Sequence, residues 1–345
     1  MTRIMKVLIG FSFILFFLTA CKKHEVLMPG EKNKNQIIAD HSIIDDFEKI
    51  PPVYIEKVRK MIVAFPGESH SEAYREGFLL LQADWPELKC SIFSYGDTVP
   101  GYLRIYQGQS VGEAQWFTWK AWDKNNRPRE SLYIKDLIET HAENNRQINV
   151  LGFAWCWDAF ARRSRIRLNL DRLLGKVCFR RDPEFGVYWF GASIGGPDGN
   201  REWGLDSTDY KYTGNHVSLA TYLETTEEYD KFCRERGYTT RVIFTTGPAD
   251  NITGESGYQG YLKHQAIRKY VNSDSSRILF DYNDILCHDD HGNITTTTWR
   301  GHEYPVIAPT NLGDGSIGHI GANGALRLAK AQWWLLARVA GWDGH

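Results

Sequence analysis

An apolar strand that empties into a glycine, an acid and a serine constrains this chain more than any other feature. Met61-Ile62-Val63-Ala64-Phe65 runs into Pro66-Gly67-Glu68-Ser69, and a helix is predicted from Glu72 to Gln82. Glycine at 67 permits a tight turn. Strand, turn and helix in that order place the Ser69 hydroxyl at the carboxyl end of a sheet, where ligands bind in open α/β folds. The helix N-terminus beside it offers unpaired N–H groups and the positive end of a dipole. A second Gly254-Glu255-Ser256 lies in a Gly-rich stretch and is predicted to be a loop without that setting.

Serine is a weak nucleophile at neutral pH and needs a base within hydrogen-bond reach. The far end of the chain supplies a histidine, His319, directly before an amphipathic helix over Ala322–Ala340. In that helix Leu326, Ala329, Trp333, Leu336 and Ala340 recur at three- and four-residue steps and form one apolar stripe.

Between these ends, strand-like runs alternate with helical ones. Strands are predicted at Met61–Phe65, Cys90–Ser94, Ile148–Ala154, Arg241–Thr245 and Arg277–Phe280, with further helices over Leu132–Asn144, Leu219–Arg236 and Tyr261–Val271. This alternation predicts an α/β fold with a mainly parallel five-stranded sheet and helices on both faces. Residues 160–213 break the pattern. They open with Arg162, Arg163, Arg165 and Arg167 and turn Gly- and aromatic-rich, which reads as an insertion after the third strand.

Several motifs together resemble the SGNH (GDSL-like) hydrolases. They are Gly67-Glu68-Ser69, Gly214-Asn215-His216, the late strand Ile278-Leu279-Phe280-Asp281, and His319-Ile320-Gly321 before the last helix. The resemblance spans roughly residues 61–342. It implies a flavodoxin-like three-layer α/β/α sandwich and acyl transfer from an ester, with Ser69 as nucleophile and His319 as general base. It implies an oxyanion hole built from the Ser69 N–H, the Gly96 N–H and the Asn215 side chain. Glu68 stands where the family has Asp, and Ser316 stands where it has the acid three residues before the histidine. Asp314, five residues before His319, is the expected orienting acid, the alternative being a Ser-His dyad. Such chemistry needs no metal or organic cofactor.

The N-terminus carries an address. Arg3 and Lys6 precede an apolar run from Val7 to Phe17 that is too short to span a bilayer as a mature helix. Leu18-Thr19-Ala20-Cys21 resembles a bacterial lipobox, which implies a signal peptide over 1–20 and lipidation of Cys21. Lys22 rather than Asp after it favours the outer membrane. Residues 21–50, rich in Lys, Glu and Asn, are expected to be a polar tether, and 51–345 the folded domain.

Cys90, Cys156, Cys178, Cys233 and Cys287 are scattered and lack C-x-x-C spacing, so neither a disulfide framework nor a zinc site is expected. His288-Asp289-Asp290-His291 holds metal-ligand types but ends in Gly292 like a polar turn. The formal net charge of −1 gives no support for nucleic-acid binding. Trp155, Trp157, Trp189 and Trp203 are candidate stacking surfaces for sugar rings, and His70 and His216 candidate cleft residues. The expected partners are therefore an acylated carbohydrate, or another small ester, and the membrane. A non-catalytic glycan-binding lipoprotein on the same fold and a lipase or phospholipase are the alternatives.

Overall fold

The computed structural model describes residues 36–67, 69–93, 99–107, 116, 133–155, 187–188, 216–217, 219–249 and 251–344. The expected signal segment, Cys21, most of the expected insertion over 160–213, Gly96 and Asn215 lie outside the described residues.

Eight short strands run parallel through the centre. They are β1 (Ile38–Ala39), β2 (Ile62–Ala64), β3 (Cys90–Phe93), β4 (Leu103–Tyr106), β5 (Val150–Leu151), the paired segments β8 (Arg241–Val242) and β9 (Phe244–Thr245), and β10 (Leu279–Phe280). Between β5 and β8 in sequence, β6 (Val187–Tyr188) and β7 (His216–Val217) pair only with each other. One ladder has the order β3-β4-β2-β5-β8 and the other β1-β10-β9. They meet in residues 241–245, where Ile243 N–H bonds Leu151 on one side and Phe244 N–H bonds Ile278 on the other. After β2 the chain first builds outward to β3 and β4, then returns past β2 to β5. That reversal makes the crevice at the carboxyl end of β2, the place where such sheets take ligands.

Alternation of side chains along the strands creates two apolar faces. Val63, Phe65, Ile105, Val150, Ile243 and Phe280 point into one core; Ile62, Ala64, Tyr106, Leu151, Phe244 and Leu279 point into the other. Helices α1 (Pro52–Val58) and α2 (Ser71–Asp84) cover the first face. Helices α3 (Tyr133–Glu143), α4 (Leu219–Glu235) and α5 (Gly254–Asn272) cover the second. The short helices α6 (Tyr282–Cys287) and α7 (Pro309–Leu312) lead to α8 (Ala322–Val339), which returns to the first face. The arrangement is mixed α/β, compatible with three α/β/α layers.

The predicted stripe of α8 is wider than a single row. Leu328, Trp333, Leu336 and also Ala331 and Ala337 have no exposed surface. A side chain like Trp333 is worth about 3–5 kcal/mol against truncation to alanine in such a core.

Three expectations need correction. The expected tether over 21–50 does not hold for residues 36–50, which belong to the domain: β1 pairs with β10, and Ile43, Ile44, Phe47 and Ile50 are buried. The polar composition of that stretch hides an apolar pattern with enough surface to anchor it. The sheet also contains β4, which slots between β3 and β2 and was not predicted, because Leu103-Arg104-Ile105-Tyr106 is short and interrupted by a charge. Finally, Gly254-Glu255-Ser256 is not a loop but the first turn of α5. A hairpin of β11 (Thr296–Trp299) and β12 (His302–Pro305) stands outside the main sheet.

Candidate active site

The turn after β2 is built as a close approach. Gly67 continues the strand through a parallel bridge to Ala154, and a Cβ at 67 would overlap the Ala154 carbonyl oxygen. Gly67 is therefore needed for backbone proximity, and it is not among the positive-φ glycines that a left-handed turn would require. Ser69 follows in an exposed turn whose carbonyl accepts the Glu72 N–H at 3.1 Å, and α2 starts at Ser71. His70 is the N-cap and makes no side-chain capping bond. Ser71 is buried and its Oγ accepts from Arg75 Nη1 at 2.8 Å, which ties it inside the helix rather than in a cap or a nucleophile's position.

His319 arrives from the other end of the chain on a tight turn. Ile317 N–H bonds the Ile320 carbonyl at 2.9 Å and Ile320 N–H bonds the Ile317 carbonyl at 3.1 Å. The two residues between them, Gly318 and His319, both have positive φ, +54° and +71°. That combination is the two-residue hairpin turn of type I′. For Gly318 the conformation is free, whereas for His319 it costs about 1–2 kcal/mol. The turn is held from beneath by buried Asn311, whose side chain donates to the Leu286 and His288 carbonyls and whose own carbonyl accepts the Gly321 N–H.

These two constructions meet. His319 Nε2 lies 2.8 Å from Ser69 Oγ, joining residues 250 positions apart, and both side chains are exposed to solvent. The ring of His70, with 1 % exposure, stands 4.9 Å from the His319 ring, and Tyr282 packs edge-on behind His70. His70 is thus a wall of the site rather than a residue open in the cleft.

Asp314 does not take the place expected for it. Its Oδ1 accepts the Ser316 N–H at 3.1 Å and the Ser316 hydroxyl at 2.8 Å, a local Asx turn on the exposed loop. These two bonds, side chain first, hold the Asp314 carboxyl below its ordinary pKa. The local partner is only two residues away, so it costs less chain entropy than folding back to the imidazole. Gly96 and Asn215, the other expected oxyanion donors, lie outside the described residues.

Other expectations sort similarly. Trp155 is buried, donates to the Thr245 carbonyl at 3.3 Å and packs edge-on to Tyr222, so it offers no face to a sugar. Trp157, Trp189 and Trp203 lie outside the described residues, and His216 is described only as part of β7. Cys90, Cys233 and Cys287 are buried thiols outside any disulfide, and burial pushes the Cys90 and Cys233 thiols up to about 12. Asp289 accepts the His291 and Asn293 N–H groups, which makes the stretch before Gly292 the polar turn its sequence suggested.

Sequence reasoning missed Gly318 and Asn311. The Ile317-Gly318-His319-Ile320 pattern, a glycine-led pair between apolar residues, was the available hairpin signal. Asn311 carried none, since its partners are backbone carbonyls of a distant helix end. No family model matches the sequence, and no curated protein matches it either. Among the described residues no helix is long and apolar enough to cross a membrane.

Proposed function

We propose that this chain is an extracytoplasmic serine esterase of the SGNH type, lipid-anchored at Cys21 on the outer membrane, that removes acyl groups from carbohydrate. The observation that carries the proposal is the 2.8 Å contact between Ser69 Oγ and His319 Nε2 at the carboxyl edge of a parallel sheet. The five-stranded ladder runs 2-3-1-4-5 in chain order and reverses at β2 as doubly wound sheets do, with β4 inserted where the flavodoxin order 2-1-3-4-5 would pair β2 with β3.

In this reading His319 Nε2 takes the Ser69 proton as Oγ attacks the ester carbonyl, then returns it to the leaving alcohol. Water activated by the same nitrogen hydrolyses the acyl-enzyme. The N-terminus of α2 faces the developing oxyanion, with Gly96 and Asn215 as further donors. Carbohydrate as the substrate rests on the envelope address and the aromatic content; the burial of Trp155 leaves the latter to the remaining tryptophans.

Turnover of a small acetyl ester tests the assignment. Ser69→Ala and His319→Ala should each lower kcat at least about a thousandfold, and the double variant should be little worse, as for members of one catalytic unit. A Ser69→Ala variant that keeps its activity refutes the assignment. One observation favours a second reading, a glycan-binding protein without turnover: Asp314 serves Ser316 and leaves His319 without that carboxylate. Glycan binding with no ester cleavage by the unaltered chain is its mark.

A further inference from the structure

We propose that His41, Asp284 and His288 form a binding site for a divalent transition-metal ion of the zinc class, separate from Ser69 and His319. The fold brings these residues together from both ends of the chain. β1 and β10 are parallel neighbours, and His41 follows the carboxyl end of β1. Asp284 lies in α6, which follows β10, and His288 is the C-cap of that helix, four residues on and so on the same helical face.

The side chains converge. Asp284 Oδ2 receives His41 Nδ1 at 2.5 Å and the His41 backbone N–H at 2.9 Å. His288 Nδ1 bonds the Asp284 backbone carbonyl at 2.8 Å and lies 3.7 Å from Asp284 Oδ1, so Nε2 is the His288 atom left for an ion. One ligand atom from each residue lies within 4.8 Å of the others. Zinc bound at about 2.0–2.1 Å from nitrogen and oxygen needs tetrahedral ligand atoms about 3.3 Å apart, so binding would draw the three ligand atoms closer and turn the stacked rings towards a shared ion. The two imidazoles are stacked, with ring centroids 3.4 Å apart and planes 11° from parallel.

The surrounding charges fit a cation here. The neighbouring guanidinium groups already have acids of their own: Arg268 pairs with Asp281 at 2.6 Å and Arg327 with Asp290 at 3.0 Å. The His41 side chain is 31 % exposed, enough to admit an ion and a water as fourth ligand. Bound there, the ion would pin the short edge strand β1, and with it residues 36–50, to the end of β10.

The test uses the full-length chain and Co2+, whose visible absorption reports tetrahedral nitrogen and oxygen ligation. The unaltered chain should develop the band to saturation at one ion per chain and lose it to Zn2+. His41→Ala and His288→Ala should each weaken Co2+ binding at least about tenfold, the smaller loss known for even an outer partner of a metal ligand. His291→Ala should bind as the unaltered chain does. A second readout needs no variant: Zn2+ should protect His41 from diethyl pyrocarbonate, mapped by mass spectrometry, while His291 still reacts. Absence of a saturable band, or equal modification of His41 with and without Zn2+, overturns the proposal.

Discussion

Gly318 rests directly on the first turn of the helix that follows Ser69: a Cβ built on it would lie 2.8 Å from the Ala73 amide nitrogen and 3.0 Å from the Ser69 carbonyl oxygen. Both contacts are to backbone, which cannot move aside as the end of a flexible side chain can. The residue next to the base is thus the point at which the two halves of the site are pressed together.

Gly318→Ala should therefore separate His319 from Ser69. The added methyl meets the α2 backbone, and a non-glycine at φ +54° costs of the order of 1 kcal/mol besides. A displacement near 1 Å lowers catalytic rates by about a hundredfold, and a loss of that order is expected in kcat on a small acetyl ester. The thermal midpoint should fall only slightly. Full activity in Gly318→Ala would show that the close packing does not set the geometry of the base.

Asp314→Asn should be nearly silent. Asparagine keeps the oxygen that accepts from Ser316, so the turn survives, and no contact to His319 is lost. The expected change in kcat/KM is within about threefold, against the ~10,000-fold fall that follows removal of an acid that truly orients the imidazole. Steady-state kinetics on folded protein decide between these. A fall of a hundredfold or more would restore Asp314 to the catalytic group.

Stability should decline as pH falls from 7 towards 5. Burial, helped by Arg268 and Lys263, keeps His264 well below its ordinary pKa, against the raising effect of a hydrogen bond with Asn283, and burial likewise lowers His141. A histidine whose folded pKa is depressed stabilises the protein while it is neutral. As pH drops through about 6.5 the unfolded chain takes up the proton first, and stability falls by ~1.4 kcal/mol per pH unit for each such group. Denaturant unfolding across this range should show a shallower slope in His264→Gln. An unchanged slope would mean that His264 does not contribute.

Much of this architecture was legible in the sequence because long apolar runs and a stripe of α8 leave few alternatives. Met61–Phe65 and Arg241–Thr245 are continuous apolar strands flanked by turn residues, and both sit in the sheet as expected. What escaped was set by tertiary context. β4 and β1 are too short to show a period and exist because neighbouring strands offer them hydrogen bonds. The Ser69 and His319 pair could be read because a strand before one and a helix after the other fix where each must lie. Asp314 could not, because a glycine-rich loop admits many paths and a serine two residues away competes for the carboxylate. The histidine cluster was hidden for a different reason: His288 finds its partner at His41, 243 positions before Asp284, rather than at its neighbour His291.

The most direct test of a nucleophilic Ser69 is covalent. A fluorophosphonate probe reacts with a serine hydroxyl only when a base has activated it, and mass spectrometry of the labelled peptide names the residue. The unaltered chain should carry one adduct, on Ser69, with none in Ser69→Ala and strongly slowed labelling in His319→Ala. Ser256→Ala should label as the unaltered chain does. An adduct on Ser256 or another serine, or no adduct on the unaltered folded chain, would contradict the account.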